Sequence, residues 1–178
     1  MCFEKLSLYK LHLLRCWIVF GGLLLYCVQP SKAEEGPWRW ANPQPHGNPI
    51  RAMAKGEDFS IQVGDNGSVH TSQNMVQWLP KDVATDNTLR SASFFKGQAI
   101  IAGDKGDLFY SESENFFVPA KLDKPTDNSF FALASSNNTA VVVGEGGTLY
   151  TSDDGRSWRN RSFLYSDNLY SVVWTGRY

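Results

Sequence analysis

Cysteine is scarce in this sequence, and its distribution limits the chemistry available. The three cysteines are Cys2, Cys16 and Cys27, so none lies beyond residue 27. The rest of the chain therefore has no disulfide, no thiolate nucleophile and no cysteine ligand for a metal. We expect that part of the chain to be stabilised by burial of apolar surface alone.

A long hydrophobic run is also missing. The longest apolar stretch covers residues 16–28, which is short for a membrane span. It follows three basic residues and ends shortly before the small residues Ser31 and Ala33. This pattern predicts a signal peptide over residues 1–33 and an exported protein, periplasmic or secreted, or lumenal in a photosynthetic organism. No membrane association is expected after cleavage, and an uncleaved anchor is the alternative.

An excess of positive charge is absent. From Glu34 onward the chain has 13 basic and 17 acidic residues. A net negative charge disfavours a phosphate backbone as the main partner, because nucleic-acid binding depends on clustered Lys and Arg. The sequence therefore predicts no nucleic-acid partner.

Amphipathic helices are not apparent after residue 34, and a strand-forming cassette recurs instead. It reads VGDNGSVHTS, AGDKGDLFYS and VGEGGTLYTS, and its first glycines are Gly64, Gly103 and Gly144. The spacings are 39 and 41 residues. A period near 40 with short strands and glycine turns predicts an all-β chain, a β-propeller of four-stranded antiparallel blades.

The repeat predicts about three blades plus the first strand of a fourth. Residues 34–48 form an extended lead-in, and residues 49–178 form the partial propeller. The blades are predicted at 49–86, 87–127 and 128–166, with the start of a fourth at 167–178. Closed propellers have four to eight blades. A truncated copy, self-association of several chains to close the ring, and unusual capping all remain open.

A second register follows the same period. Arg51, Arg90 and Phe131 each precede a cassette glycine by 13 residues, and Tyr170 follows Phe131 by 39. These positions predict inner strands around the propeller axis, where the four side chains would form a channel-mouth site for a carboxylate or a peptide terminus. In the alternative, the arginines face solvent or form weak exposed ion pairs. The expected partners are Glu57, Asp86 and Asp127.

Residues 151–158 carry the most specific motif, [ST]-x-D-x-G-x-[ST]-W. Asp153 is expected to accept hydrogen bonds from N–H groups of its own turn, Gly155 to adopt a conformation that other residues resist, and Trp158 to pack between blades. The five specified positions are Thr151, Asp153, Gly155, Ser157 and Trp158. The first repeat has Gln73 and Met75 at the Asp and Gly positions, and the second keeps only Phe117 as an aromatic counterpart.

This motif resembles the Asp-box of the bacterial neuraminidase repeat. Residues 38–178 also resemble the propeller family that includes photosystem II assembly and stability factors, and unassigned exported bacterial repeat proteins. The latter resemblance implies a non-catalytic module that holds a protein partner. A sialidase would need three arginines, a tyrosine with a glutamate, and an acid/base aspartate. Only Arg51 and Arg90 occupy equivalent strand positions, so the sequence predicts no catalytic residues.

No cofactor or metal site is predicted. The acidic turn residues lack the spacing of a calcium loop, and His46 and His70 lie far apart. The sequence thus favours an exported, non-catalytic binding or assembly module that docks a protein or glycan partner. The alternative is a fragment of a sialidase-like glycan-active enzyme or lectin.

Overall fold

The computed structural model describes residues 48–162 and 166–176. The predicted signal peptide and all of the predicted lead-in except Asn48 lie outside the described residues. The described chain contains β-strands and two short 3₁₀ turns, Asp104–Gly106 and Glu145–Gly147, and no α-helix. No helix in this described part is long and apolar enough to cross a membrane.

Twelve of the strands form three blades. In each blade the four consecutive strands pair antiparallel in chain order. Blade 1 contains β1 Ile50–Lys55, β2 Ser60–Gly64, β3 Val69–Ser72 and β4 Leu79–Lys81. Blade 2 contains β5 Leu89–Phe95, β6 Gln98–Gly103, β7 Leu108–Ser113 and β8 Phe116–Pro119. Blade 3 contains β10 Phe130–Ser135, β11 Ala140–Gly144, β12 Leu149–Ser152 and β13 Ser157–Asn160. The predicted all-β class with four-stranded antiparallel blades is confirmed.

The remaining strand, β9 (Lys121–Leu122), is short and lies in the connection between blades 2 and 3. It pairs in parallel with β13 and so becomes a fifth strand on the outer edge of blade 3. Lys121 N–H donates to the Arg156 carbonyl at 2.8 Å, and Asp123 N–H donates to the Trp158 carbonyl at 3.0 Å. The connection from blade 2 therefore covers an edge that would otherwise present unpaired backbone groups.

Blade 2 contributes to two hydrophobic cores, one on each face. Alternate side chains of a strand point to opposite faces. Ala99 and Ile101 of β6 therefore pack with blade 1, around Ile61 and Val63, whereas Ile100 and Ala102 pack with blade 3. This double burial explains why the strand is apolar at four consecutive positions instead of alternating.

Glycines in the turns between second and third strands set how closely successive blades approach. Gly67 and Gly106 have φ values of 64° and 76°, and each N–H donates to the carbonyl of an asparagine in the next connection. A Cβ atom on either residue would overlap the carbonyl oxygen of Thr85 or Thr126. The turn of one blade thus packs directly against the segment that enters the following blade.

The predicted first strand of a fourth blade is not formed in the structure. Residues 166–176 carry no strand, although Leu169 N–H donates to the Gly144 carbonyl at 2.9 Å. The Asn168 side chain accepts the Gly146 N–H at 2.9 Å. The strands β1, β5 and β10 each obtain their ladder from the second strand of their own blade. No described residue supplies such a partner to residues 166–176.

Candidate binding site at the first-strand bulges

Each first strand contains a β-bulge at the same place. Leu89 pairs with Gly103 and Ser91 with Ala102, which leaves Arg90 as the extra residue. The same register shift leaves Arg51 extra in β1 and Phe131 extra in β10. A bulge changes the direction of a side chain and is a recurrent feature of functional sites. Three of the four predicted site residues are therefore bulge residues, which strand periodicity alone does not indicate.

The arginines at the bulges form two-point ion pairs with the aspartate that follows each cassette glycine. Arg51 Nε and Nη2 donate to the two carboxylate oxygens of Asp65 at 2.8 and 2.9 Å. Arg90 binds Asp104 through the same atoms, with Nη2–Oδ2 at 3.0 Å. The partners are thus Asp65 and Asp104. The predicted partners Glu57, Asp86 and Asp127 were wrong, because the bulge turns each arginine toward the adjacent glycine turn.

The next blade contributes to these ion pairs. The pKa of Asp65 lies below its ordinary value, chiefly because Arg51 donates a hydrogen bond to its carboxylate. The Arg90 hydrogen bond lowers the pKa of Asp104 in the same way. The side chains of Thr88 and Ser129, which lie just before the first strands of the next blades, also lower the pKa values of Asp65 and Asp104 respectively. Both carboxylates are therefore held ionised at neutral pH.

The third and fourth predicted residues form an aromatic pair next to Arg90. The Phe131 and Tyr170 rings stack with centroids 5.2 Å apart and an interplanar angle of 12°. The Arg90 guanidinium lies 5.7 Å from the Phe131 centroid. The Tyr170 hydroxyl accepts a hydrogen bond from the Asn168 amide at 3.0 Å. The structure thus brings Arg90, Phe131 and Tyr170 into one stack, and Arg51 lies within electrostatic range of Arg90. We call these four residues the bulge row.

The motif at residues 151–158 forms a tight hairpin, but its hydrogen bonds differ from the prediction. Asp154 Oδ1 accepts the N–H groups of Arg156 and Ser157, both at 2.8 Å. Partial burial raises the pKa of Asp154, but the hydrogen bonds from Ser157 and Arg156 outweigh this effect and lower it. The predicted acceptor, Asp153, is exposed and lies 3.6 Å from Arg159.

The other four predicted motif residues have defined places in or beside this hairpin. Gly155 adopts a φ of 76° and its N–H donates to Ser152 Oγ at 2.8 Å. Trp158 is 1% exposed, packs in the core between blades 2 and 3, and donates its Nε1–H to the Gly155 carbonyl at 3.2 Å. Ser157 donates its backbone N–H to Asp154 Oδ1 at 2.8 Å. Thr151 belongs to β12. These contacts give the hairpin a structural role.

The first repeat retains the same hairpin with different residues. Asn74 Oδ1 accepts the N–H groups of Val76 and Gln77 at 2.9 Å, as Asp154 does in blade 3. Met75 takes the position of Gly155 and has a φ of 58°. The motif places its acidic residue at position 73, where Gln73 stands, and so does not identify Asn74 as the acceptor. Ser72 and Ser152 both lie two residues before the acceptor, and this shared serine is the sequence signal that could have identified Asn74.

A second surface feature is a groove away from the bulge row. This groove of about 1040 Å³ at the hairpins between first and second strands is lined mainly by polar residues, including Lys96, Asn137 and Asn138. Within the described ranges, no group of three or more His, Cys, Asp or Glu residues could hold a metal ion.

Comparison with known proteins identifies no family. No protein-family model matches the chain, and neither does any curated protein. A solved structure described as YCF48 bound to D1 peptide is similar, with 20% identity and a TM-score of 0.49, covering 62% of this chain and 39% of that one. Glutaminyl cyclase of Myxococcus xanthus is similar at 13% identity and a TM-score of 0.42, covering 61% of this chain and 51% of that one. This chain thus spans about half or less of each.

Proposed function

We propose that this chain is a non-catalytic binding module that docks a protein partner along the bulge row. The observation that carries the proposal is the repeated bulge, which places one side chain per blade at equivalent positions of the first strands. Arg51 and Arg90 are exposed there, and Phe131 is half-buried. Arginine and tyrosine are enriched at the energetic centres of protein interfaces. Tyr170 is 70% exposed, and the arginines are also exposed to solvent.

The ion pairs change the kind of ligand expected. A free carboxylate would have to displace Asp65 or Asp104, each already bound at two points by its arginine. The bulge row is therefore better suited to a polypeptide surface with mixed charge than to an isolated peptide terminus. The same pairs disfavour the sialidase alternative, because Arg51 and Arg90 are not available as free cations for an acidic sugar.

The resemblance to Asp-box propellers belongs to this proposal as well. The hairpin at residues 151–158 supports it, since Trp158 closes the core between two blades as the motif implies. We place the chain with exported propellers that assemble or stabilise other proteins, and export rests on the signal-peptide pattern of residues 1–33. A glycan is the alternative partner, and the test has to distinguish it from a protein.

A pair of exposed aromatic residues allows a matched test. Tyr170 is 70% exposed on the bulge row, and Phe116 is 69% exposed on the outer strand β8 of blade 2. Proteins captured by the chain from an extract of its native source should be identified first. The affinity of the main partner for the wild type, Tyr170→Ala and Phe116→Ala should then be measured by biolayer interferometry.

We expect Tyr170→Ala to lower the affinity for the partner about tenfold. This is the effect of losing one central aromatic contact worth roughly 1–2 kcal/mol. Phe116→Ala should stay within twofold of the wild type. Equal effects of the two variants would place docking elsewhere. Binding on a glycan array that disappears with Arg90→Ala would favour the lectin-like alternative instead.

A further inference from the structure

Blade 3 departs from blades 1 and 2 at the residues that surround one carboxylate. In the first two blades the residue after the cassette glycine is an aspartate that is bound at two points by an arginine. In blade 3 that residue is Glu145. The position of the arginine is taken by Phe131, and Asn168 stands where the preceding connections have Thr88 and Ser129. Glu145 therefore lacks the arginine partner that its two counterparts have.

Glu145 remains on the surface beside the bulge row. Its Oε2 accepts the Ser129 N–H at 3.2 Å, and its side chain is exposed. No Lys, Arg or His side chain of residues 48–162 or 166–176 forms an ion pair with it. Of the three equivalent carboxylates, two are paired with arginines, which leaves Glu145 as the one available to a cation.

The aromatic pair supplies the second half of a cation site. Phe131 already carries the Arg90 guanidinium over its ring, 5.7 Å from the centroid. Tyr170 stacks on Phe131 and is mostly exposed. A guanidinium binds favourably over an aromatic face and pairs with a carboxylate at two points. Asn168 holds the Tyr170 ring near the Glu145 turn, because its side chain accepts the Gly146 N–H at 2.9 Å and donates to the Tyr170 hydroxyl at 3.0 Å. An exposed ring near a carboxylate favours arginine over an anion or an apolar side chain.

We propose that Glu145 and the exposed ring of Tyr170 receive an arginine side chain of a protein partner. The partner supplies to blade 3 the guanidinium that Arg51 and Arg90 supply to blades 1 and 2. The chain's own ion pairs are the template for this contact, because the bulge and the glycine turn have the same register in all three blades. The inference rests on the proposed docking function and specifies the chemistry of the partner's central residue.

A small probe tests the site without knowledge of the partner. N-acetyl-glycyl-arginyl-glycinamide is titrated into the ¹⁵N-labelled full chain and followed by NMR. We expect millimolar binding, the order set by one weak ion pair with one cation–π contact, with the largest shifts at Glu145 and Tyr170. The same peptide with citrulline in place of arginine should bind at least fivefold more weakly, because citrulline has no charge.

Two variants locate the site and one serves as their control. Glu145→Gln removes the carboxylate charge and should weaken the arginine probe about fivefold, whereas Glu112→Gln, at an exposed position of β7 in blade 2, should leave it unchanged. Phe131→Arg places a guanidinium within the chain at the bulge where blades 1 and 2 have one. We expect this variant to fold and to lose probe binding, because the introduced guanidinium forms an ion pair with the Glu145 carboxylate.

The inference is overturned if the citrulline and arginine probes bind equally, or if Glu145→Gln and Glu112→Gln behave alike. Its failure differs from failure of the docking function. If partner binding depends on Tyr170 but is indifferent to Glu145→Gln, docking stands and the arginine site is wrong. If the probe binds as expected but Tyr170→Ala leaves partner binding intact, the arginine site exists and docking lies elsewhere.

Discussion

At the scale of single residues, two adjacent aspartates in one turn have different roles. Asp154 accepts two N–H groups and a hydroxyl, whereas Asp153 faces solvent. Asn74 in blade 1 repeats the Asp154 contacts with an amide oxygen. The hairpin therefore needs a side-chain acceptor at this position, whether charged or neutral.

Replacing each aspartate with alanine should separate these roles. Asp154→Ala leaves the Arg156 and Ser157 N–H groups without their acceptor and should lower the free energy of unfolding by about 1 kcal/mol. Asp153→Ala should change it by less than about 0.5 kcal/mol, as expected for an exposed side chain. Urea denaturation of both variants measures the difference. A larger loss for Asp153→Ala would contradict the hydrogen-bond assignment.

The sequence predicted the kind of turn but not which residue accepts its hydrogen bonds. A motif records residue types at fixed spacing, and both aspartates satisfy the chemistry of an acceptor. The choice between them depends on the path of the backbone, which directs one side chain back toward the turn. The bulge residues show the same limit. The register of Arg51 and Arg90 is visible in the sequence, but their pairing with Asp65 and Asp104 depends on the bulge, which the sequence does not show.

At the scale of structural elements, the glycine turns hold successive blades together. Their spacing of 39 and 41 residues predicted the hairpins correctly, since a positive φ favours glycine there. The sequence did not predict that Gly106 also touches the next connection, because that contact joins residues of two repeats. Gly97 provides a contrast, since it has a φ of 78° and no atom within 4 Å of a Cβ built on it.

Alanine at these two glycines should distinguish backbone strain from steric overlap. Gly97→Ala should cost about 1 kcal/mol, the strain of a left-handed conformation. Gly106→Ala carries the same strain and also overlaps the Thr126 carbonyl, so it should cost about 2 kcal/mol more. Thermal unfolding followed by circular dichroism compares the two. Equal losses would mean that the turn does not contact the following connection in solution.

At the scale of the described chain, blade 2 is the shared partner of both neighbours. The apolar sequence of β6 does not reveal that its two faces serve different cores. The parallel pairing of β9 with blade 3 was also not predictable, because two residues carry too little pattern. The segment 166–176 matches a first strand in sequence yet forms none, since no ladder partner is available among the described residues.

Two adjacent isoleucines test the independence of the cores. Ile100 packs toward blade 3 and Ile101 toward blade 1, and both are fully buried. Either residue changed to alanine should cost about 2–5 kcal/mol. Hydrogen exchange should show faster exchange mainly in blade 3 for Ile100→Ala and mainly in blade 1 for Ile101→Ala. Uniform loss of protection in all three blades for both variants would contradict two separable interfaces.

Site-directed photo-crosslinking tests the docking function most directly. A benzoylphenylalanine is placed at position 170 or, as control, at position 116, and the chain is irradiated in an extract of its native source. The bulge row predicts a specific crosslinked protein from position 170 that is absent from position 116, with the crosslink mapping near an arginine of the partner. The same products from both positions, or a product from position 116 alone, would contradict a docking function of the bulge row.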